Sequence, residues 1–267
     1  MPSRLTKIAR LILGCSSLLA VSAGATADEL RVGLGVGAAP QFAGSDEYRI
    51  IPFPSISYKT EKFEITTRGI GVQANLSQSK YVDFGPIIRL DTGRNDFNDV
   101  DDPLIARLAQ IDAGLELGGF VGTSYPLAFS EDGRPTLLTA GISAVQSLGG
   151  HEGVLASASL GFVKPMGAVT LVGSVSSTYA TDKYNQSFFG ISAEDALATG
   201  LSEFDIDGGV RDVGAGLVIS YNFNEKWRLT NIAQYTHLIG DTADSPIVTR
   251  GSQSQLFGGL NISYRFR

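Results

Sequence analysis

The sequence predicts an all-β protein: a transmembrane antiparallel up-and-down β-barrel of about 12 strands, with 10 to 14 as the range. Three observations predict it. A secretory leader begins the chain, segments of about 10 residues alternate apolar with polar side chains, and many of the 32 glycines among 267 residues lie on the less apolar face of those segments. With 43% hydrophobic and 18% charged residues, the chain is too apolar for a disordered protein.

The first 27 residues are predicted to be a cleaved signal peptide, which leaves residues 28–267 as a single barrel domain in the outer membrane of a Gram-negative cell. Three cations precede an apolar run over residues 11–21, and Ala25 and Ala27 supply small residues at the cleavage site. That run is shorter than the roughly 20 residues that a membrane-spanning helix needs.

Charge and cysteine content exclude several classes of protein. The leader holds three of the 21 Lys and Arg and none of the 27 Asp and Glu, so the remaining chain carries 18 cations against 27 acids, a net charge of −9. An acidic exported chain is not expected to bind nucleic acid. A single cysteine and two histidines exclude a disulfide scaffold and a zinc finger, and no cofactor is expected.

Eleven alternating segments follow the leader. They lie near residues 29–38, 48–58, 62–73, 82–92, 110–124, 135–147, 153–163, 168–179, 210–223, 227–238 and 254–266. A closed bacterial barrel with both chain ends in the periplasm needs an even number of strands. Strand directions counted forward from the N-terminus and backward from the C-terminus disagree between residues 62 and 81. This stretch is therefore predicted to contain two short strands that meet near residues 68–71.

Two features depart from plain alternation. Pro52, Pro54 and Pro86 fall inside predicted strands, where proline cannot donate a ladder hydrogen bond, so local bulges or early strand ends are expected. The run from Ser192 to Gly200 has a capping serine, early acids and a terminal glycine. It therefore predicts a two-turn helix within a long extracellular loop.

Charged residues on the less apolar face are predicted to line the lumen, because a Lys or Arg that faces lipid near the midplane costs about 2 to 4 kcal/mol. They are Arg31, Arg89, Asp91, Asp112, Glu116, Arg211, Asp212, Arg228 and Arg265. Both signs are present, so pairing across a narrow lumen and a selective pore both stay open. Aromatic residues near the strand ends, such as Trp227 and Tyr58, are typical of interfacial girdles.

Four stretches carry a family resemblance: residues 33–48 (GLGVGAAPQFAGSDEY), 184–190 (YNQSFFG), 238–248 (LIGDTADSPIV) and 263–266 (SYRF). In combination they resemble the MipA/OmpV family of outer-membrane proteins over essentially the whole mature chain. The resemblance implies an outer-membrane barrel, and for the family's namesake a scaffold that joins a lytic murein transglycosylase to a murein synthase. Other members are linked to permeability, osmotic response or adhesion.

The predicted location in the outer membrane also implies which molecules contact the barrel. Outer-membrane lipid and lipopolysaccharide are expected around it, and the barrel-assembly machinery is expected to recognise a signal at Tyr264 and Phe266. Family members commonly end on the aromatic residue, whereas Arg267 follows it here.

No catalytic, cofactor-binding or metal-binding residue is predicted, and the chain is not expected to be an enzyme. His237 is the candidate base on a predicted strand, but a polar and aromatic interfacial position explains it without a serine nucleophile. The acidic run Asp96, Asp99, Asp101 and Asp102, with Asp91 and Asn98 nearby, lacks the spacing and the turn glycine of an EF-hand loop. A solvated acidic loop is therefore favoured over a Ca²⁺ site.

Three functions remain from the sequence. The first is a non-catalytic scaffold that links a murein hydrolase and a murein synthase, which rests on the resemblance. The alternative is a small diffusion pore or uptake channel, which the charged and glycine-lined inner face indicates. A lesser alternative is an adhesin, which rests on the loop over residues 180–209.

Overall fold

A computed structural model describes residues 28–95, 100–130 and 133–267. The predicted signal peptide, with Ala25 and Ala27 at its cleavage site, lies outside these residues, as do Asp96, Asn98 and Asp99. In the described part, every helix is too short or too polar to cross a membrane.

Twelve antiparallel strands form a closed barrel in which each strand pairs with its neighbours in sequence and β1 pairs with β12. They are β1 Glu29–Pro40, β2 Tyr48–Lys59, β3 Glu64–Thr67, β4 Gly71–Asn75, β5 Val82–Asp91, β6 Gly114–Phe129, β7 Pro135–Ser147, β8 Val154–Met166, β9 Val169–Ala180, β10 Gly209–Asn222, β11 Trp227–Leu238 and β12 Ser254–Arg265. The predicted barrel is confirmed, and the short pair β3 and β4 lies where the parity argument placed two strands.

The two ends of the barrel differ in the length of their connections. Short turns, including residues 167–168 and 223–226, lie at one end, whereas residues 41–47, 92–113, 181–208 and 239–253 connect strands at the other. In outer-membrane barrels the short turns face the periplasm and the long loops face outward. We name the ends accordingly.

The outer surface of the wall is apolar. Leu34 and Ile142 each expose 65% of their surface, and Leu160 exposes 59%. So many large apolar side chains on one continuous face would be unfavourable in water, but lipid tails cover them without cost. At the periplasmic end, Trp227 packs edge-on against Tyr264 with ring centroids 4.9 Å apart, as in an interfacial girdle.

Glycine on the inner face makes room for aromatic rings. A Cβ on Gly35 would lie 2.5 Å from the ring of Phe53. Phe53 in turn packs edge-on against Phe257, with 6.0 Å between the centroids. The lumen beside β1, β2 and β12 is therefore filled by side chains that glycine alone accommodates.

Pro52 and Pro54 do not cause the bulges or strand ends that we expected, because β2 pairs continuously with β1 from Tyr48 to Lys59. Successive residues of a strand direct their N–H groups to opposite edges, and the amide of Ile56 bonds to Thr67 on the β3 side. The backbone nitrogens of both prolines point to the same side as the amide of Ile56. This is the side of β3, but β3 ends before it reaches them, so no ladder hydrogen bond is lost.

Pro86 also lies within a strand that continues through it, since β5 pairs with β6 from Val82 to Asp91. On the other side, β5 pairs with β4 only over Ile87 to Arg89, so this ladder stops next to Pro86. The strand itself neither bulges nor ends at Pro86, and only its ladder with β4 is interrupted there.

The described residues of the extracellular loops contain a 3₁₀ turn, Ile105–Arg107, and four helices: α1 Asp182–Phe189, α2 Ala193–Thr199, α3 Asp241–Asp244 and α4 Pro246–Arg250. The predicted helix is α2: the Ser192 hydroxyl accepts a hydrogen bond from the amide of Asp195, and Gly200 ends the helix with φ of 76°. The sequence did not predict α1, α3 or α4.

The loops pack into a cap over the extracellular mouth. Its apolar centre contains residues from four loops: Phe42, Ile105, Leu108, Ile191 and Ile247. Polar contacts tie the same loops together. The Gln41 side chain donates to Asp101 over 2.6 Å and accepts from its amide over 3.1 Å, and Asp195 accepts from the amide of Ala109.

Candidate functional site

A cavity of about 160 Å³ lies in the lumen beneath the cap. Its charged lining residues are Arg68, Arg89, Asp91, Glu116, Arg211 and Asp212. Five of these six were predicted to line the lumen. They come from β5, β6, β10 and the turn between β3 and β4, so the closed barrel brings together residues that are up to 144 positions apart.

Arg89 and Glu116 form one ion pair in this cavity. They face each other in the β5–β6 ladder. The Arg89 guanidinium donates from Nε and Nη2 to the two carboxylate oxygens of Glu116, whose side chain is 1% exposed. The arrangement satisfies a buried carboxylate with a planar, two-pronged donor, which is the stronger form of such a pair.

His151 lies above this pair, with Nε2 3.6 Å from Glu116 and 3.7 Å from Asp91. The oxygens and Nε2 are close enough to suggest a metal site. However, Nδ1 of His151 accepts a hydrogen bond from the amide of Gly153 over 2.9 Å, so the neutral ring carries its proton on Nε2. Because that nitrogen has no lone pair to donate and Arg89 holds both oxygens of Glu116, the three residues do not fit a metal ion.

Arg211 and Asp212 form a second ion pair, with Nη2 2.5 Å from Oδ2. Arg211 also donates to the hydroxyl of Tyr184 over 2.9 Å. Tyr184 belongs to α1, and burial raises the pKa of its hydroxyl to about 12, so the hydroxyl stays neutral at physiological pH. The pair therefore anchors α1 to the barrel wall.

Helix α1 forms the roof of the cavity. Tyr184 and Phe188 stack with 4.6 Å between ring centroids, and both line the cavity. The Arg94 guanidinium donates to the carbonyl of Phe188 over 2.9 Å, and Ser245 of the next long loop donates to the carbonyl of Phe189. The end of the helix is thus held by two other loops.

Three of the predicted lumen residues lie away from the cavity, towards the periplasmic end. Arg31 is buried on β1 and lies 3.4 Å from Glu29. Arg228 donates to Asn222, and Arg265 lies 3.9 Å from Glu225. These residues form a cationic group at the periplasmic mouth.

Asp112 does not line the lumen. It is exposed in the loop before β6, which begins at Gly114 and not at residue 110 as expected. The reason is that Ile111 is buried and forms a bridge to Arg94 in the extracellular loop. The chain therefore joins the barrel wall only after Asp112, at Gly114.

Sequence reasoning missed Arg68, His151 and Tyr184. Arg68 lies at the tip of the β3–β4 hairpin, and its inward direction depends on how that hairpin sits. His151 lies in a short loop where no periodicity exists. Tyr184 carried a usable signal, because Tyr184, Phe188 and Phe189 recur at helical spacing.

His237 lies on the outer surface of the barrel rather than in the cavity. The ladder brings Ser254 beside it, but the Ser254 hydroxyl is 3.5 Å from Nδ1 and the Tyr235 hydroxyl is 3.3 Å away. Both contacts are long for hydrogen bonds. No ion pair between His237 and a carboxylate occurs among the residues that the structure describes, so the position is polar and aromatic, as the sequence indicated.

Two acids of the predicted acidic loop have protein partners. Asp101 binds Gln41, and Asp102 forms an ion pair with Arg250 of α4. Asp102 also accepts hydrogen bonds from the amides of Leu104 and Ile105. Their carboxylates therefore fasten the cap.

Several known proteins are similar to this chain. The chain is 33% identical to outer membrane protein Omp26La of Vibrio anguillarum over 101 residues, which is 38% of either chain. It is 25% identical to the MltA-interacting protein of Escherichia coli (strain K12) over 274 residues, covering 98% of this chain and all of the relative. An outer membrane channel from Pseudomonas putida F1 is similar in structure, with a TM-score of 0.48 and 12% identity over 91% of this chain and 97% of that one.

The model of one family, described as MltA-interacting protein MipA, matches residues 32–266, nearly the whole of the described barrel. The chain therefore belongs to the MipA family of outer-membrane barrel proteins.

Proposed function

We propose that this protein is a non-catalytic scaffold in the outer membrane, whose periplasmic end engages murein-remodelling enzymes, a lytic transglycosylase and a synthase. The observation that carries the proposal is the cap, because its packed loops and helix α1 roof the luminal cavity on the extracellular side. A closed barrel with an anchored roof suits a membrane anchor better than an open pore. The name of the full-length relative, MltA-interacting protein, supports a partner of this kind.

The distribution of charge supports a partner at the periplasmic end. The described residues of the periplasmic half carry ten cations: Arg31, Lys59, Lys62, Lys80, Arg134, Lys164, Lys226, Arg228, Arg265 and Arg267. They carry six acids: Asp28, Glu29, Glu61, Glu64, Asp83 and Glu225. Glu131 and Asp132, which stand between β6 and β7 in the sequence, bring the acids of this half to eight, whereas the rest of the mature chain carries eight cations against 19 acids. The net negative charge of the chain therefore lies on the extracellular half, and the cationic periplasmic rim suits an acidic protein surface.

The test is capture of the native protein from cross-linked membranes. A lytic murein transglycosylase is expected in the captured complex. Lys62→Glu with Lys80→Glu should remove it, because both lysines are exposed at periplasmic turns. Arg107→Glu, an exposed extracellular change, serves as the matched control and should leave the complex intact. Capture of folded wild-type protein without any murein enzyme would overturn the proposal.

A small uptake channel is the second candidate, and the charged cavity favours it. Such a channel would require the cap to open, because α1 roofs the cavity. Purified protein in planar bilayers distinguishes the two functions: single-channel steps support the channel, and a silent bilayer supports the scaffold. An adhesin is less well supported, because the loop that suggested it buries Tyr184, Phe188 and Phe189 inside the barrel.

A further inference from the structure

The wall of the barrel has a gap on its extracellular half, between β2 and the β3–β4 hairpin. The last ladder pair between β2 and β3 is Ser57 with Thr66, so nine residues of β2 extend beyond it. The other pairs of neighbouring strands that are connected by a periplasmic turn, and the pair β1 and β12, give the comparison. In each of them a strand extends past the last extracellular ladder pair by only one to four residues. Ile56 is still bonded to the Thr67 hydroxyl of β3, so residues 48–55, about 26 Å of the β2 edge at about 3.3 Å per residue, have no neighbouring strand.

This edge does not serve for pairing with another strand. Pro52 and Pro54 direct their ring nitrogens to it and cannot donate, and proline is a common means of protecting an open edge. Ile50 on the same edge is 72% exposed. The gap is therefore apolar, and its edge is protected against pairing with another strand.

Apolar side chains lie directly behind the gap. Ile70, at the tip of the β3–β4 hairpin, packs against a cluster that contains Ile51 and Phe53 of β2, and Phe257 packs against the same cluster. Phe257 also lines the cavity, as does Leu90 on the far side of the gap. Apolar side chains thus extend without interruption from the outer surface at the gap to the lining of the cavity, and we call this set the apolar path.

Arg68 lies at the inner end of this path. It lines the cavity, and its guanidinium donates to Gln73 and, across the lumen, to Ser143 of β7, each over 3.1 Å. Both partners are neutral. Among the described residues, no carboxylate lies within ion-pair distance of Arg68, whereas Arg89 and Arg211 each have one.

A cation in a protein interior without a counter-ion is unfavourable, and an anionic ligand would relieve that cost. The apolar path supplies the complementary half of such a ligand. We propose that the cavity binds an amphiphilic organic anion, which enters from the outer leaflet through the gap, places its acidic group on Arg68 and leaves its apolar chain in the gap, along the unpaired edge of β2 and against Ile70. This site is independent of the proposed murein partner at the periplasmic end.

The experiment uses the full mature protein in lipid nanodiscs with 11-(dansylamino)undecanoate as the probe. Saturable dansyl fluorescence is expected, with competition by dodecanoate but not by dodecanol or acetate. Dodecanol lacks the charge and acetate lacks the chain, so the pair tests both halves of the ligand. Equal competition by dodecanol would overturn the role of Arg68, equal competition by acetate would overturn the apolar path, and the lack of saturable binding would overturn the site.

Three variants locate the site. Arg68→Gln should weaken binding of the probe by about tenfold or more, because it removes a charge-assisted contact. Arg68→Lys should retain most of the affinity. Arg107→Gln is the matched control, since Arg107 is exposed and outside the cavity, and it should leave binding unchanged.

A fourth variant tests the route of entry, and it keeps the proposal testable if the Arg68 variants misfold. Ile70→Trp keeps Arg68 but fills the gap, so it should slow association of the probe by about tenfold or more while the barrel stays heat-modifiable on gels. Unchanged association in this variant would overturn entry through the gap. Capture of a murein enzyme should be unaffected by any of the four variants, so failure of this site and failure of the scaffold are separable.

Discussion

Arg89 and Glu116 are cross-strand partners whose side chains form a two-pronged ion pair inside the lumen. Glu116→Ala should lower the free energy of unfolding by about 3 to 5 kcal/mol, because it removes the carboxylate that pairs with the buried Arg89 guanidinium. The measurement is urea unfolding in detergent micelles, followed by tryptophan fluorescence. Replacing both partners, as in Arg89→Met with Glu116→Leu, should recover most of the loss.

The control for this prediction is the exposed ion pair of Glu152 with Lys183, whose side chains are 68% and 64% exposed. Glu152→Ala should change the free energy of unfolding by less than about 1 kcal/mol, since water screens such pairs. Equal losses in Glu116→Ala and Glu152→Ala would contradict the view that the lumen pair is stabilising.

The contact between Gly35 and Phe53 gives a second prediction. Gly35→Ala should destabilise the barrel by about 1 to 3 kcal/mol, because the new Cβ overlaps a ring in a filled lumen. Gly258→Ala is the matched control, since nothing lies within 4 Å of a Cβ at that position. Phe53→Ala combined with Gly35→Ala should cost less than the sum of the single changes. Additive losses would show that the ring is not the obstacle.

Much of the barrel is predictable from local sequence, because side chains alternate between two environments along every strand. The segment 227–238 was predicted with both ends correct, and parity alone located β3 and β4. Such reasoning assumed a complete wall, however, so it misjudged Pro52 and Pro54. The unpaired length of β2 depends on where the neighbouring strand β3 ends, so the local sequence of β2 alone could not predict it.

The cavity was less predictable because its contacts are non-local. Arg68 reaches Ser143 across 75 positions of sequence, and no pattern within the hairpin indicates that distance. Asp112 shows the opposite error. The alternating pattern correctly put Asp112 in phase with Glu116. However, Ile111 is held in the cap, so the strand starts after Asp112.

The cap should loosen in acid. Burial acts to raise the pKa of Asp102, but hydrogen bonds from Arg250 and from the amides of Leu104 and Ile105 outweigh it and hold that pKa below its usual value. A carboxyl whose pKa is lower in the folded state stabilises that state above the unfolded pKa of about 3.9 and loses the contribution as pH falls through the folded pKa. Amide hydrogen exchange over residues 100–109 should therefore accelerate below about pH 4 relative to the intrinsic rate.

Asp102→Asn should weaken this acid dependence, because the neutral side chain cannot pair with Arg250. Asp112→Asn, a change at an exposed acid of the same loop, should leave it as in the wild type. Protection that stays constant from neutral pH to pH 3 would contradict a role for Asp102 in closing the cap.

Neighbouring positions on β2 should differ sharply in their tolerance of proline. Pro54 directs its nitrogen to the unpaired edge, so Pro54→Ser should change the free energy of unfolding by less than about 1 kcal/mol. Ser55 directs its amide towards β1, with Gly33 as its ladder partner. Ser55→Pro should therefore cost about 3 kcal/mol or more, because it removes a hydrogen bond from a paired edge. Heat-modifiability on gels and urea unfolding compare the two, and similar losses at both positions would mean that β2 has a partner along its whole length and that the wall has no gap.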